Sequence, residues 1–200
     1  MSLIKKVGRK IVYGLGIKKV PVMTKVEQCR ARGVKIGDNV DLINAEIDYC
    51  FGHLITIGNN VTITNSVVLA HDASTKKELG YSKIGCVDIG DNVFIGYGSI
   101  ILPNVRIGNK VIVGAGTVVS KDIPDNVVVV GPNAKIIGTY DDYMDKNRNR
   151  MKECPVSNVL FCDKTEAEWD TLYKEVKVKK GGFDSVSYTH LRAHETSQDL

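Results

Sequence analysis

Aliphatic residues recur at every sixth position along much of this 200-residue chain. They form three phased runs: Ile36 and Leu42; Ile57, Ile63 and Leu69; and Ile89, Ile95, Ile101, Ile107, Val113 and Val119. A period of six fits neither an α-helix, which repeats at 3.6, nor a simple strand, which repeats at 2. It predicts short strands joined by tight corners, three strands to a coil. Each aliphatic side chain then points inward and stacks on its equivalent one coil away.

The residues between the aliphatic positions support this interpretation. Four positions after each aliphatic residue comes a small or β-branched one, with Glu46 as the exception: Val40, Val61, Val67, Ala73, Val93, Ser99, Val105, Val111, Thr117 and Ile123. Asn39, Asn60 and Asn92 directly precede such residues. Asparagine tolerates a left-handed backbone at low cost, so these positions are predicted to be the corners.

Two breaks interrupt the runs. The spacing from Leu42 to Ile57 is not a multiple of six, which predicts a small irregularity between them. The spacing from Leu69 to Ile89 is more than three times the period, and we expect the surplus, the polar stretch 74–87, to leave the coil as a loop. Long loops on rigid scaffolds often carry function, and this one begins three residues after His71.

The block IGDNVFIGYGSIILPNVRIGNKVIVGAGTVVSKDIPDNVVVVGPNAKII and the phrase LAHDA before the loop resemble the hexapeptide-repeat acyltransferases. Within that family they are most similar to the sugar O-acetyltransferase branch, which includes the capsule, lipopolysaccharide, galactoside and maltose acetyltransferases. The resemblance covers about residues 21–150. It implies a mainly β fold, the left-handed parallel β-helix, although parallel crossovers are right-handed as a rule. It also implies a homotrimer with sites between subunits and acetyl-CoA as the acyl donor.

Length and a 43% hydrophobic content allow one domain with a sizeable core. The expected organisation is a basic helical segment at 1–35, a β-helix at 36–137, a helical extension at 138–184 and a non-native or disordered tail at 185–200. Capping patterns predict three helices: one over Met23 to Arg32 that stops at Gly33, one that begins at Thr139, and one that begins at Thr165. His190 and His194 lie in the tail and are not expected to bind metal.

Charge is concentrated near the N-terminus, where residues 1–35 contain ten Lys or Arg and one acid. Apolar residues lie there on one helical face: Leu3, Ile4, Val7, Ile11 and Leu15. This pattern is compatible with peripheral contact to an anionic membrane, or with packing against the β-helix or a neighbouring subunit. No apolar run is long enough to predict a membrane span, and no signal peptide is found. Five cysteines without a CxxC pair favour the reducing cytoplasm, and no pattern indicates nucleic-acid binding.

His71 is the first candidate for catalysis. Its slot predicts an outward-facing side chain near a corner, beside the loop, and imidazole suits a general base because its ordinary pKa lies near neutrality. Composition alone favours an inconsequential surface histidine, whereas the resemblance of the HD pair and its loop to the family motif favours catalysis. The implied reaction is removal of a proton from a sugar hydroxyl, followed by attack on the thioester. The resemblance places the oxyanion donor at the backbone N–H of Tyr97.

The resemblance also suggests where the ligands lie. The acyl carrier is expected to pass Gly96, Ala115 and Gly116, with Lys121 and Lys135 near its phosphates. Asp72 could orient the site or bind acceptor hydroxyls, and is equally well explained as a solvated carboxylate. His53 and Tyr49, with Asp48, could line the acceptor pocket, although a partly buried loop histidine accounts for His53 equally well. No metal is expected to be required, because the body has only two histidines.

Three functions are compatible with these features. The leading hypothesis is an acetyl-CoA-dependent O-acetyltransferase acting on a sugar in surface polysaccharide biosynthesis. The second is an N-acetyltransferase for an amino sugar nucleotide or another small acceptor. The third is a non-catalytic β-helix scaffold, which would need neither His71 nor its loop.

Overall fold

A computed structural model of the chain describes residues 23–186. Its centre is a stack of parallel coils with three faces. Face 1 contains β1 (Lys35–Ile36), β4 (Ile55–Ile57), β9 (Val87–Ile89) and β12 (Val105–Ile107). Face 2 contains β2 (Val40–Ile43), β5 (Val61–Thr64), β10 (Val93–Ile95), β13 (Val111–Val113) and β15 (Val127–Val130). Face 3 contains β3 (Glu46–Ile47), β6 (Val67–Val68), β11 (Ile100–Ile101) and β14 (Val118–Val119).

The interior is a column of aliphatic side chains in register. On face 1, Ile57 pairs with Ile89, which pairs in turn with Ile107. The buried inward positions include Ile57, Ile63, Ile89, Ile95, Ile101, Ile107, Val113 and Val119. The period of six therefore predicted the core of the third and fourth coils correctly. Side chains between the inward positions point outward, which gives the alternating burial along strands such as β12.

The asparagine corners are also as predicted. Asn39, Asn60 and Asn92 have positive φ values of 54°, 55° and 57°. Their side chains stack into a ladder, in which the amide of Asn39 donates to Asn60 over 2.9 Å and that of Asn60 donates to Asn92 over 3.3 Å. The same residues thus supply the left-handed backbone and a polar connection between coils.

The prediction was wrong by one position on face 3 of the second coil. Val68, and not Leu69, pairs with Ile101 and is fully buried, while Leu69 is half-buried. The cause is the corner between faces 2 and 3, which is one residue shorter after Ile63 than after Ile95. The neighbouring predicted positions fail as well: Val67, predicted from Ile63, is only half-buried, and Ala73, predicted from Leu69, is exposed.

This shift also moves the loop. The chain leaves the coil after Ala70 and returns at Gly85, whose N–H donates to the carbonyl of Ala70 over 3.0 Å. The excursion therefore occupies 71–84, which has the predicted length but lies three residues earlier than 74–87. It is a hairpin of antiparallel β7 (His71–Asp72) and β8 (Lys83–Ile84) around the short helix α2 (Lys76–Leu79).

A helix covers one end of the coil stack, and an antiparallel strand ends the other. Helix α1 (Lys25–Ala31) has a capping box formed by Thr24 and Glu27, and the backbone turns at Gly33, where φ is +91°. At the other end, β16 (Lys135–Thr139) pairs antiparallel with β15 and stops the parallel stacking. The remaining elements follow in chain order: α3 (Tyr140–Glu153), β17 (Val156–Ser157), α4 (Glu166–Lys179) and β18 (Phe183–Asp184).

The helix starts predicted at Thr139 and Thr165 are both confirmed, since each side chain caps its helix. The expected membrane-binding face and nearly all of the 185–200 tail lie outside the described residues. Between residues 23 and 186, no helix has the length and apolar character that a membrane span requires.

Two neighbouring residues of β12, one pointing inward and one outward, allow a test of the stacking between coils. Ile107 is 1% exposed, so Ile107→Ala removes buried methylene groups and leaves a cavity, and we expect it to lower the free energy of unfolding by about 2–5 kcal/mol. Arg106 points outward on the same strand, and Arg106→Ala should change stability by only about 0.5 kcal/mol. Chemical denaturation of both variants measures the difference. Equal effects would contradict the assigned inward register.

Candidate active site

His71 begins the excursion, at the corner between faces 3 and 1. Its Nδ1 atom is hydrogen-bonded to Oδ2 of Asp48, which lies one coil earlier, directly after β3. The Asp48 side chain is 3% exposed, whereas that of His71 is 32% exposed. The histidine thus has one edge held inside the protein and keeps access to solvent.

The Asp48 carboxylate accepts hydrogen bonds at both oxygens. Oδ2 also accepts from the N–H of Ala70 over 3.1 Å, and Oδ1 accepts from the N–H groups of Cys50 and Phe51 over 3.2 and 3.3 Å. Burial raises the pKa of Asp48, but the bonds from His71 and the backbone N–H groups outweigh it, so the pKa lies below its ordinary value. An ionised Asp48 can only accept, so the bridging hydrogen belongs to Nδ1 of His71. This tautomer leaves the Nε2 lone pair free to take a proton.

Phe51 covers one face of the imidazole. The two ring centroids are 4.8 Å apart and the planes are inclined by 33°. The sequence pattern indicates Asp48 only as a possible acceptor contact, and no pattern in the sequence points to Phe51. The register between the first two coils pairs Ile36 with Ile57 and Ile47 with Val68. The same spacing, applied to Asp48, would have placed it beside Leu69.

Tyr97 lies in a tight turn at the corner between faces 2 and 3. The N–H of Ser99 donates to the carbonyl of Gly96 over 3.3 Å, and Gly98 has a φ of +73°, which is the geometry of a type II turn with Tyr97 at its second position. The Gly96 carbonyl points inward, where the hydroxyls of Ser66 and Ser99 donate to it over 2.9 and 2.8 Å. In a trans peptide the N–H is opposed to the carbonyl, so the N–H of Tyr97 points outward.

His71 and Tyr97 lie at opposite edges of face 3. The N–H of Gly98 donates to the carbonyl of Asn65 over 3.1 Å, so the turn stacks on Asn65. His71 is six residues further along the chain, which at the rise of a strand corresponds to roughly 15–20 Å. No reacting atom could touch His71 and the N–H of Tyr97 within one chain.

The small residues at these corners have structural reasons of their own. A side chain at Gly96 would lie only 2.7 Å from the backbone nitrogen of Ala115, so glycine allows the next coil to stack. A Cβ added at Gly116 would meet no atom within 4 Å, so the φ of +69° is what explains the glycine. Open space outside Gly116 leaves room for a ligand along this corner.

The two expected phosphate contacts, Lys121 and Lys135, are both exposed. Lys121 follows β14 closely and Lys135 begins β16. A bridge between Val118 and Pro132 brings the turn before Lys135 alongside β14. Both lysines therefore lie at the same end of the coil stack, Lys135 beside β15 of face 2 and Lys121 just after face 3. Their role in binding stays a prediction.

The three residues expected to bind the acceptor each make different contacts in the structure. Asp72 forms an ion pair with Lys83 over 2.6 Å across the hairpin and accepts from the N–H of Ser74 over 2.8 Å. Tyr49 is 63% exposed, with the Arg32 guanidinium 5.4 Å from its ring centre. His53 is exposed and packs over Gly33, so it faces the end of α1. Their part in acceptor binding stays a prediction.

Residues 86–121 match the family model described as "Bacterial transferase hexapeptide (six repeats)". The chain is 44% identical to "Protein CapG" of Staphylococcus aureus over 128 residues, which cover 60% of this chain and 74% of that protein. It is 39% identical to a galactoside O-acetyltransferase of Lactococcus lactis over 128 residues, or 64% of this chain and 60% of that protein. A solved maltose O-acetyltransferase from Clostridium difficile is 29% identical, with a TM-score of 0.46 and coverage of 70% of this chain and 89% of that chain.

This chain belongs to the hexapeptide-repeat transferase family, and its fold is the left-handed parallel β-helix of that family. The match spans 60% and 56% of the first two curated relatives, so it covers somewhat more than half of their length.

The ion pair between Asp72 and Lys83 predicts how the stability of the hairpin depends on pH. The hydrogen bonds from Lys83 and from the N–H of Ser74 lower the pKa of Asp72 to about 2. Because the folded pKa is depressed, the pair is complete above the ordinary aspartate pKa of about 4 and is lost as the pH falls through about 2. Hydrogen exchange should show protection of 71–84 that persists at pH 4 and declines near pH 2.

In Asp72→Asn the hairpin should exchange faster at neutral pH, with no such decline on acidification. Asp88→Asn, at an exposed position on β9, is the matched control and should leave the hairpin unchanged. An Asp72→Asn protein with a protected hairpin and a raised KM for its acceptor would instead assign the carboxylate to acceptor binding.

Proposed function

We propose that this protein transfers an acetyl group from acetyl-CoA to a hydroxyl of a sugar, in surface polysaccharide biosynthesis. The observation that carries the proposal is the His71–Asp48 pair, in which a buried carboxylate holds a partly exposed imidazole in the tautomer of a general base. A non-catalytic scaffold would not need an ionised carboxylate beneath a histidine at the base of a hairpin. The relatives named galactoside O-acetyltransferase support a sugar hydroxyl as the acceptor.

The proposed reaction proceeds without a covalent enzyme intermediate. Nε2 of His71 takes the proton from the acceptor hydroxyl as its oxygen attacks the thioester carbonyl. The carbonyl oxygen becomes negative and accepts the outward N–H of Tyr97. When the carbon–sulfur bond breaks, the imidazolium returns the proton to the sulfur of coenzyme A. Asp48 stabilises the positive imidazolium between these steps, and no metal is needed.

The separation of His71 from Tyr97 supports the assembly of this chain into an oligomer. Since one chain cannot place both at the same carbonyl, the complete site needs a second copy of the chain. The outward residues of face 1 are polar or charged, namely Lys35, Thr56, Asp88 and Arg106. Faces 2 and 3 instead expose Phe94 and Ile100 beside the Tyr97 corner. We propose a cyclic trimer in which these two faces meet neighbouring subunits.

In this arrangement acetyl-CoA lies between subunits. The donor passes Gly96, Ala115 and Gly116, which brings its thioester to Tyr97 of one subunit and His71 of the next. Lys121 and Lys135 neutralise its phosphates. The acceptor approaches His71 from the side of Tyr49, His53 and Asp72. Acetyl-CoA is a metabolite of the cytoplasm, and this is the compartment that we propose.

Two substitutions should separate chemistry from donor binding. His71→Ala removes the general base and should lower kcat by about 10²–10⁴-fold, with the affinity for coenzyme A almost unchanged. Lys135→Ala should raise the KM for acetyl-CoA and spare kcat at saturation. Release of free thiol from acetyl-CoA, measured over a panel of sugars and nucleotide sugars, gives both constants. Near-normal turnover of His71→Ala would remove the histidine from the mechanism.

The turn at Tyr97 allows the oxyanion donor to be deleted alone. Proline suits the second position of a type II turn and lacks the N–H, and the chain itself has Pro132 in the comparable turn from Gly131 to Ala134. Tyr97→Pro should therefore fold and lose about 10²–10³-fold in kcat, whereas Tyr97→Ala keeps the N–H and most of the activity. Equal losses of kcat in the two variants would indicate that the phenol side chain of Tyr97, and not its N–H, is needed.

The same variants test the assembly. Subunits with His71→Ala and subunits with Tyr97→Pro are each inactive, but mixed trimers contain interfaces with an intact His71 and an intact N–H. We expect activity to return when the two proteins are unfolded and refolded together. A mixture that stays inactive, or an active monomer in light scattering, would contradict a shared site.

A further inference from the structure

The loop that carries Asp48 also carries the aromatic ring beside His71. Phe51 is half-buried, and its side chain packs against the hydrophobic core. Its N–H donates to Oδ1 of Asp48 over 3.3 Å, and its carbonyl accepts the N–H of Leu54 over 2.9 Å. Side chain and backbone are thus both anchored, and the ring is held in place on the imidazole.

The hydrogen bond to Asp48 alone does not fix the base. It locates Nδ1, but the ring can still pivot about that contact, and a pivot moves Nε2 at the opposite edge. Proton transfer requires Nε2 to lie within hydrogen-bonding distance of the acceptor hydroxyl. Displacement by about 1 Å can cost about 100-fold in rate. A second contact that fixes the ring plane would therefore improve catalysis.

We propose that Phe51 is a positioning residue that fixes the plane of the His71 ring and keeps water from the Nδ1–Asp48 hydrogen bond. The aromatic face restrains the pivot that the carboxylate leaves free. Asp48 organises both contacts, since Oδ2 holds the imidazole and Oδ1 folds the segment that presents Phe51. The catalytic part of this proposal rests on the general-base role of His71.

Three substitutions at Phe51 distinguish the effect of its flat aromatic ring from the effect of its apolar volume. Phe51→Ala removes both, Phe51→Leu keeps bulk without a flat face, and Phe51→Tyr keeps the face. We expect kcat to fall by about 10–100-fold in Phe51→Ala and Phe51→Leu, and to stay near the wild-type value in Phe51→Tyr. The KM for acetyl-CoA should stay unchanged throughout, because the proposed path of the donor past Gly96, Ala115 and Gly116 does not include this ring.

Nitrogen NMR of the histidine rings provides a readout that does not require activity. The His71 signals are assigned by their loss in His71→Ala, among the four histidines of the chain. The wild type and Phe51→Tyr should show hydrogen on Nδ1 with slow exchange to water. Phe51→Ala and Phe51→Leu should keep hydrogen on Nδ1, because Asp48 is intact, but should show faster exchange of that hydrogen with water.

Val26→Ala is the control for general destabilisation. Val26 is a partly buried residue of α1 that packs against the same core, so its loss should lower Tm without changing kcat or the His71 signals. The proposal is overturned if Phe51→Leu has wild-type kcat and spectra, or if Val26→Ala reproduces the changes. If the wild type acetylates no acceptor, the proposed function fails, while the spectra alone still decide whether Phe51 holds the ring.

Discussion

Every other feature of this structure depends on the stacking of inward aliphatic side chains between coils. A single coil encloses too little apolar surface to be stable, and it becomes buried only when its neighbours cover it. Ile57, Ile89 and Ile107 show the consequence, since each is covered by its equivalent above and below. The inward positions therefore tolerate little variation, and functional groups are restricted to corners, outward positions and insertions.

The corner between faces 2 and 3 connects this packing to the proposed chemistry. Ser66, Ser99 and Thr117 are buried there, and their hydroxyls bond to inward carbonyls of the chain. Because these carbonyls are held inward, the N–H groups of the following residues, Tyr97 and Ala115, point outward. The hydroxyls that bond to the inward carbonyls thus also orient backbone N–H donors outward, along the corner where we propose that acetyl-CoA lies.

The sequence predicted the regular part of the fold well and the irregular part less well. The third and fourth coils follow the six-residue period at every inward position, since nothing interrupts their stacking. In the second coil, one residue fewer between Ile63 and Val68 moved Leu69 out of the core and placed the excursion at 71–84. A corner of four or five residues satisfies the same backbone requirements, so the sequence alone does not decide between them.

Of the candidate site, His71 could be identified from its motif, but its partners could not be derived from local sequence. Asp48 lies 23 positions earlier, and it meets His71 only because adjacent coils stack in the register set by the short corner. Phe51 has no sequence signal, since an aromatic residue in a short loop is ordinarily explained by core packing. The Gly96 position shows the opposite case, because its glycine was attributed to a ligand and is required by the coil above it.

The two longest corners of the β-helix occur on adjacent coils and at the same edge, between faces 3 and 1. The first, at 48–54, supplies Asp48 and Phe51, and the second, at 71–84, supplies His71. An insertion on one coil alone would give a histidine without a buried carboxylate, or a carboxylate without a base. The later coils have no such insertions. Their corner between faces 2 and 3 is regular, as the proposed path of the long acetyl-CoA molecule requires. This β-helix thus concentrates its insertions at the edge between faces 3 and 1. The subunit contact that we propose would bring that edge to the corner between faces 2 and 3 of the next copy.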